Sequence, residues 1–387
     1  MRINVFSIQH NTYNLLLTLI RSSFCSYPQE HIPLPLDLDE LMKTASLQAV
    51  PILVIDALHK YLEAYPSHRP FAKDMFADKA RRLQLVGQVM AFERMYAKHE
   101  RAMADLARLY STRDLRMMVL KGYGLSLDWP ISNHRIVGDL DIYISSDKPT
   151  DNGNMPPWQE ADAVVSEQCG IKIDDGHEHH TVFCFKGVTV ENHYDFINTK
   201  AHRDAPKIEA HLKSLAEKNC REIEIEGTKI YLPSADFNAV FLMRHMGQHF
   251  AGEFLNLRQI LDWGFFVTAH SHEVDWNATI LFLKEIGLYH FFNHINAICT
   301  DNLGFAEDIF PKIERNHYWE QRILKDILHP EFEDKKPNDG LLAILMFKTK
   351  RWWRNRWKHQ MVYNDSLLMT FATLAWSHLK RFKTIKD

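Results

Sequence analysis

A β-rich block lies between two long stretches of helical pattern, and it is the feature that most limits the possible folds. The block starts with "LRMMVLKG", continues in "DLDIYIS", and ends in "HTVFCFKGVTVENHYDF", whose two β-rich runs pivot on Lys186-Gly187. Helical turns are expected in "GYGLSLDWP" and through "QEADAVVSEQCG". The order of strand, helix, strand, helix and paired strands predicts an α+β fold with a small mixed sheet.

Helical patterns flank this block on both sides. Apolar residues spaced by three and four from Leu85 to Tyr110 predict a long amphipathic helix that packs on a core. Beyond the block, Ser234 is expected to cap a helix that begins after Pro233. We therefore divide the chain into an N-terminal helical region (1–112), a mixed domain (113–232) and a C-terminal helical region (233–387).

The composition indicates an ordinary globular protein. The chain has 387 residues, 46% of them hydrophobic, and a net charge of −3. No apolar run reaches the roughly 18 residues that a membrane helix needs, and the N-terminal apolar segment lacks the features of a signal peptide. We expect a cytoplasmic protein without a membrane span. The five cysteines are scattered without a CxxC pair, which excludes a thiolate zinc site and a disulfide framework.

The basic residues are concentrated at the C-terminus. Residues 348–387 hold ten Lys or Arg against two Asp, and they include the aromatic segment "KTKRWWRNRWKHQ". Such a segment can bind single-stranded nucleic acid or an anionic membrane surface. We favour the alternative in which Trp352, Trp353 and Trp357 pack against the helical region and the arginines face solvent.

Two aspartates, Asp139 and Asp141, point to the same face of the second predicted strand. Two like charges so close together are unfavourable without a counter-charge. Mg²⁺ is a hard ion that binds carboxylates and phosphate oxygens, and it would relieve the repulsion. In "VTVENHYDF", Glu191, His193 and Asp195 share one face. If this strand lies beside the strand of Asp139 and Asp141, Glu191 would complete a three-carboxylate centre.

Residues suited to phosphate binding lie close to this pair in the sequence. Lys121 offers a point charge, and Gly122 and Gly124 would let main-chain amides approach an anion. Arg135 could bind phosphate oxygens with its two-pronged guanidinium. Either cation could instead form an ion pair with a nearby acid, and both interpretations stay open.

The motifs "LKG", "R-x-x-GDLDIYI" and "VENHYDF" together resemble those of the polymerase-beta-type nucleotidyltransferase superfamily, and within it a bacterial group of poorly characterised members. The resemblance implies that Asp139 and Asp141 bind catalytic Mg²⁺ and that Glu191 is the third carboxylate. It also implies that the Gly122-Tyr123 turn contacts the nucleotide phosphates, although the superfamily usually has Gly-Ser or Gly-Gly there.

Histidines offer a different interpretation. The segment 177–180, "HEHH", lies just before a predicted strand, and imidazoles with carboxylates can bind zinc. We favour instead a position for His179 or His180 at the mouth of the substrate site, with His193 orienting Glu191 or contacting nucleotide.

The C-terminal helical region contributes three more polar candidates. His245 and His249 lie one helical turn apart, and a helix face packed on the mixed domain explains them better than metal binding. Asp262, within an apolar helix, is interpreted as a buried acid whose charge is satisfied.

The sequence therefore predicts a Mg²⁺-dependent nucleotidyltransferase, for which Mn²⁺ could substitute, that transfers NMP from an NTP to an acceptor and releases pyrophosphate. A small-molecule or sugar-linked acceptor is preferred, because residues 1–347 are net acidic. Two alternatives are a nucleotide-binding regulatory protein without turnover and a toxin-type enzyme that modifies RNA.

Overall fold

The structure is a computed structural model that describes residues 5–24, 32, 37–65, 78–146, 155–252, 254–332 and 340–369. Its helices are α1 (Val5–Phe24), α2 (Leu38–Leu47), α3 (Pro51–Ala64), α4 (Lys79–Ser111), α5 (Tyr123–Ser126), α6 (Pro157–Cys169), α7 (Ala205–Ala216), α8 (Ala235–Gly252), α9 (Leu257–His270), α10 (Trp276–Glu285), α11 (Tyr289–Leu303), α12 (His317–Leu328) and α13 (Leu341–Val362). Its strands are β1 (Leu115–Val119), β2 (Leu140–Ser146), β3 (His180–Phe185), β4 (Val188–His193), β5 (Arg221–Ile225) and β6 (Thr228–Leu232). The α+β class is thus confirmed.

The six strands form one mixed sheet in the order β3-β4-β2-β1-β6-β5. Strand β2 is antiparallel to β1 and parallel to β4, and β1 is parallel to β6. The first and the second predicted strand are therefore neighbours, and the "VENH" strand lies on the other side of the second. This order places β2, the strand that carries the acidic pair, in the interior of the sheet.

Two hairpins complete the sheet. The first joins β3 to β4 through Lys186-Gly187, where both residues have positive φ (50° and 75°), which is the backbone of a type I′ turn. This turn confirms the hairpin expected from the sequence. The second joins β5 to β6 through Glu226-Gly227, with φ of 48° and 72°, and it was not predicted.

The long predicted helix is confirmed as α4, with Asp78 as its N-cap. Its apolar face packs on the sheet in one hydrophobic cluster together with residues of β1, β2 and β4. From the same helix His99 forms a hydrogen bond with the carbonyl oxygen of Gly138 at 2.6 Å. Helix α4 therefore positions the chain that leads into β2.

A second hydrophobic cluster joins the two ends of the chain. Leu16 and Leu19 of α1 belong to the same cluster as Phe237 of α8 and Phe291 of α11, and all four are buried. The N-terminal and C-terminal helices thus share one core, although the sequence places them on opposite sides of the sheet. The division of the chain into three regions, 1–112, 113–232 and 233–387, stays a prediction.

Helix α8 begins as the sequence predicts, since the Ser234 hydroxyl accepts a hydrogen bond from the amide of Phe237 at 3.3 Å. The segment "GYGLSLDWP" forms only the single helical turn of α5 before a series of turns.

The aromatic basic segment lies within α13. Trp357 is buried, as the packing interpretation expects, whereas Trp353 is 60% exposed. Lys358 forms a buried ion pair with Asp326, which the sequence analysis did not anticipate. Residues 370–387 lie outside the described residues. Across the described parts of the chain, no helix has the length and apolar character needed to cross a membrane.

Candidate active site

The register of the sheet brings two of the predicted acids together. Strands β2 and β4 are parallel neighbours in which Asp141 is the direct partner of Glu191. Between Glu191 and His193 the side chain of Asn192 points to the other face, where it donates to Asp162 of α6 at 2.8 Å. Glu191 and His193 therefore lie on the face of Asp141, as the alternation of the sequence predicts.

Asp141 is almost completely buried, with 3% of the residue exposed, and the protein itself supplies its counter-charges. The Lys121 Nζ lies 3.0 Å from Oδ1 of Asp141, and the His193 Nε2 lies 3.1 Å from the same oxygen. Burial alone would raise the pKa of Asp141, but Lys121 and His193 oppose it and hold this pKa well below the usual range. Asp141 is therefore an ionised carboxylate within a buried charge network.

His193 links the two acids. Its Nε2 is also 3.4 Å from Oε2 of Glu191. Burial disfavours the imidazolium, yet the hydrogen bonds to Asp141 and Glu191 raise the pKa of His193. Of the two roles that the sequence analysis gives this histidine, orientation of Glu191 is the one that matches its contacts.

Asp139 lies just before β2 and is exposed, unlike Asp141. Partial burial, followed by the charges of Glu191 and Asp141, raises the pKa of Asp139. This carboxylate thus experiences the like-charge repulsion expected of the pair. Among the described residues, Asp141, Glu191 and His193 form a set whose potential metal-ligand atoms lie within 4.8 Å of one another. Asp139 is not part of this set and is the exposed acid next to it in the sequence.

Gly122 brings the main chain to the acidic pair. It has φ of 64° and ψ of −99°, a conformation that L-residues rarely adopt, and a Cβ there would lie 3.6 Å from the carbonyl oxygen of Asp139. Tyr123, in contrast, turns its side chain into the core, where its hydroxyl donates to Glu100 at 2.9 Å. Tyr123 can therefore contribute only its main chain, which corrects any side-chain role. Gly124 packs against Leu232 instead of facing the acids.

Asp195 does not join the acids. Strand β4 ends at His193, and the Asp195 carboxylate pairs with Lys213 of α7.

A cavity of about 310 Å³ opens above the acidic pair. On one side it is lined by Lys121, Gly122, Gly138, Asp139 and Asp141. The opposite wall comes from α8, α9 and the segment between them, and it includes Leu242, His245, Met246, His249, Phe254, Asn256, Arg258 and Gln259. The catalytic candidates thus face a wall built by the C-terminal helical region.

Arg135 forms a buried, two-pronged ion pair with Asp262 of α9. Its Nε lies 3.0 Å from Oδ1 and its Nη2 lies 2.7 Å from Oδ2 of that acid. The indole Nε1 of Trp129 donates to the same carboxylate at 2.8 Å. Of the two open interpretations of Arg135, the ion pair is therefore observed, and Asp262 is the satisfied buried acid that the sequence predicts.

Arg258 is a cation of the cavity wall that the sequence analysis missed. No carboxylate among the described residues lies within ion-pair distance of it, and its Nε is buried without a hydrogen-bond partner. Burial and the nearby charge of Arg135 lower the pKa of Arg258. The sequence could have drawn attention to Arg258. Asn256 caps α9, so Arg258 lies in the first helical turn, where the helix dipole disfavours a cation.

The two histidines of α8 also line this wall. Burial, followed by the charges of Lys121 and His249, lowers the pKa of His245. His245 and His249 pack ring against ring, with centroids 4.5 Å apart. They are thus a packed helix face that also borders the cavity.

The histidines of segment 177–180 lie close to the acids. His180 Nε2 is 3.9 Å from Oε1 of Glu191. In the described part of the chain, His179, His180 and His193 form a second set of candidate metal ligands, again within 4.8 Å of one another.

The donors of the acidic set suit a divalent cation. Carboxylate oxygens are the ligands that Mg²⁺ prefers. Partial burial, and after it the negative charges of Glu191 and Asp141, raise the pKa of Asp139. A cation bound there would favour the ionised form of Asp139.

Comparison with known proteins gives two findings. A family model described as an uncharacterised nucleotidyltransferase matches residues 35–304. The crystal structure of an antigenic nucleotidyltransferase-like protein from Paracoccidioides brasiliensis is similar over 55% of this chain and 95% of that chain, at 12% identity and a TM-score of 0.33. Among curated proteins no match is found.

Proposed function

The chain belongs to the family of uncharacterised nucleotidyltransferases, and from this premise we propose that it is a Mg²⁺-dependent enzyme that transfers NMP from an NTP to an acceptor. The observation that carries the proposal is the parallel pairing of Asp141 with Glu191, with Asp139 beside them and Gly122 approaching from β1. One buried and one exposed aspartate, two residues apart, thus lie beside a third acid on the neighbouring strand, and both aspartates line the cavity.

Asp139, Asp141 and Glu191 would hold the divalent ion. When bound, such an ion neutralises charge on the phosphate oxygens and lowers the barrier to in-line displacement. His193 keeps the two acids of β2 and β4 in place through its contacts at 3.1 and 3.4 Å.

Glu191 is the proposed base. Its carboxylate is 23% exposed, whereas that of Asp141 is 3% exposed, so Glu191 is the more accessible of these two paired acids. An acceptor hydroxyl gives its proton to Glu191 while its oxygen forms a bond to the α-phosphorus. The bond from that phosphorus to the bridging oxygen breaks, and pyrophosphate leaves with the electron pair.

Lys121 and Arg258 are the proposed contacts to phosphate. Both line the cavity, and Arg258 has no acidic partner among the residues whose placement is described. Charge-assisted hydrogen bonds from such groups stabilise the negative charge that develops on the leaving pyrophosphate.

A small or sugar-linked acceptor fits the cavity best. The volume of about 310 Å³ lies at the lower end of the range for small-molecule sites. Its far wall offers the amides of Asn256 and Gln259 and the ring of Phe254, a mixture of polar groups and one aromatic face. The cytoplasmic location and the acceptor remain parts of this proposal.

The test is incubation of the purified chain with each α-³²P-labelled NTP, Mg²⁺ and a cell extract. We expect label on an acceptor and release of pyrophosphate, and a loss of at least about a hundredfold in the Asp139→Asn variant, because several kcal/mol of charge stabilisation depend on the metal site.

Asp195→Asn is the matched control, because this acid lies just after β4, the strand of Glu191, but pairs with Lys213 outside the site. Equal transfer by wild type and Asp139→Asn would refute the proposed metal site. Nucleotide binding without any transfer would favour the regulatory alternative, and label on RNA would favour the toxin-type alternative.

A further inference from the structure

Three histidines form a cluster beside the acidic centre. His180 and His193 are direct cross-strand partners on β3 and β4, and their ring centroids are 5.1 Å apart. The ring of His179 lies 4.5 Å from that of His180 and 5.5 Å from that of His193. The main chain fixes this arrangement, since the carbonyl oxygen of His179 accepts hydrogen bonds from the amides of Tyr194 and Asp195, both at 3.1 Å.

The cluster contains ring nitrogens that nothing in the described structure satisfies. The Nδ1 atoms of His179 and His180 are buried and lack a hydrogen-bond partner, and His180 is only 8% exposed. A neutral imidazole is the form that binds metal ions, and an unpartnered buried polar atom is costly.

The distances suit a tetrahedral ion after small side-chain movements. Ligand bonds of about 2.0–2.2 Å in a tetrahedron place the ligand atoms roughly 3.4 Å apart. Oxygens of Glu191 lie 3.4 Å from His193 Nε2 and 3.9 Å from His180 Nε2. The three histidines offer ligand atoms within 4.8 Å of one another, a separation that shifts of about an ångström would close.

The donor type selects the metal. Imidazole nitrogens with one carboxylate favour Zn²⁺ and the neighbouring transition ions, whereas Mg²⁺ prefers oxygen ligands. We propose that His179, His180 and His193, with Glu191 as fourth ligand, bind a transition metal ion of the Zn²⁺ class next to the carboxylate centre. This site goes beyond nucleotidyl transfer and does not depend on it.

The position of the site gives it a consequence for the proposed enzyme. His193 belongs both to the histidine cluster and to the acidic set, and Glu191, the proposed fourth ligand, lies 3.4 Å from its Nε2. A Zn²⁺ ion held by the histidines would therefore withdraw the proposed base from its acceptor. Micromolar Zn²⁺ would inhibit transfer even when Mg²⁺ is in large excess.

The experiment uses Co²⁺ as a spectroscopic probe on the full-length chain after removal of metal with a chelator. Mg²⁺ is present in large excess to occupy oxygen-rich sites. We expect the intense visible absorption of four-coordinate Co²⁺ in the wild type, displaced by Zn²⁺. His179→Ala and His180→Ala should weaken Co²⁺ binding by at least about tenfold, since even the loss of an outer partner of a metal ligand costs that much.

The matched control is His177→Ala, which removes an exposed ring that stacks on His180 but lies outside the ligand set. It should bind Co²⁺ like the wild type. If His180→Ala fails to fold, His179→Ala still decides, because the contacts of residue 179 with Tyr194 and Asp195 use only its main chain.

A wild-type spectrum without four-coordinate Co²⁺, or one unchanged in His179→Ala, would overturn the proposed site. Transfer assays on the same samples keep the two proposals apart. Mg²⁺-dependent transfer without Co²⁺ binding would remove only the histidine site, and Co²⁺ binding without transfer would remove only the proposed enzyme activity.

Discussion

Removal of Asp262 should destabilise the whole fold, because this one carboxylate satisfies two buried groups. Arg135 and Asp262 are 5% and 7% exposed at their side chains, and the Trp129 indole donates to the same acid. In Asp262→Leu the guanidinium stays buried without a counter-charge, a change that costs about 3–5 kcal/mol in comparable pairs. We expect the free energy of unfolding, measured by urea titration, to fall by that amount.

The paired replacement Arg135→Met/Asp262→Leu isolates the cause. A buried ion pair replaced by apolar residues of similar size is often neutral or stabilising, so the double variant should recover most of the loss. It should remain about 1–3 kcal/mol below wild type, because the Trp129 indole still lacks an acceptor. Asp195→Ala, which breaks the partly exposed pair with Lys213, should cost less than about 1 kcal/mol.

Two results would refute this reasoning: a loss below about 1 kcal/mol in Asp262→Leu, which is the range of an exposed pair, or a double variant no more stable than that single variant. The double variant also resolves the role of Arg135. If it folds and still transfers nucleotide, Arg135 is structural; if it folds and transfer is lost, Arg135 contacts the phosphates as well.

Three further predictions concern the surroundings of the acidic pair. Gly122→Ala should lower the free energy of unfolding by about 1–3 kcal/mol, because an L-residue is strained at φ of 64°; urea unfolding measures it, and an unchanged midpoint would contradict it. Lys121→Met should tighten Mn²⁺ binding to the nucleotide-free protein, since the ammonium that lies 3.0 Å from Asp141 no longer competes with the metal. The same variant should transfer less nucleotide. Electron paramagnetic resonance measures the first effect and the labelled-NTP assay the second, and weaker Mn²⁺ binding would count against the site. The hydrogen bond to Asp56 raises the pKa of His134, so the pair should stabilise the fold by up to about 1 kcal/mol below pH 6.5 and lose this effect as pH rises through the folded-state pKa. The difference in free energy of unfolding between wild type and Asp56→Asn should therefore shrink over that pH range. A difference that grows with pH would refute the predicted direction.

Local structure could be predicted from the sequence where the periodicity of a strand and the residues of its turn agree. Alternation in "VTVENHYDF" placed Glu191 and His193 on one face, and the Lys186-Gly187 turn fixed the hairpin that presents them. The pairing of this strand with the one that holds Asp141 was a conditional expectation. Parallel neighbours are joined by long crossovers, so local sequence does not specify which strands will meet.

Other parts of the fold were beyond local reasoning. Strands β5 and β6 alternate charged and apolar residues in "REIEIEGTKIYL", a pattern of a half-exposed sheet edge, yet it was not assigned as a hairpin. Arg258 was missed because its significance depends on the absence of an ion pair among the described residues and on its position in the cavity wall, and both are properties of the folded chain. The shared core of the two helical ends likewise depends on contacts between residues more than two hundred positions apart.

Charge repulsion between Asp139 and Asp141 led to the prediction of a metal, with an ion pair between Lys121 and a nearby acid left open. Lys121 and His193 already neutralise much of the charge on Asp141, so the buried acid is stable before any ligand binds. Asp139, exposed and repelled by its neighbours, is the group left for an incoming cation to stabilise. The two aspartates are therefore unequal: Asp141 is held in place by the fold, and Asp139 is the acid through which the proposed enzyme would recruit its metal and nucleotide.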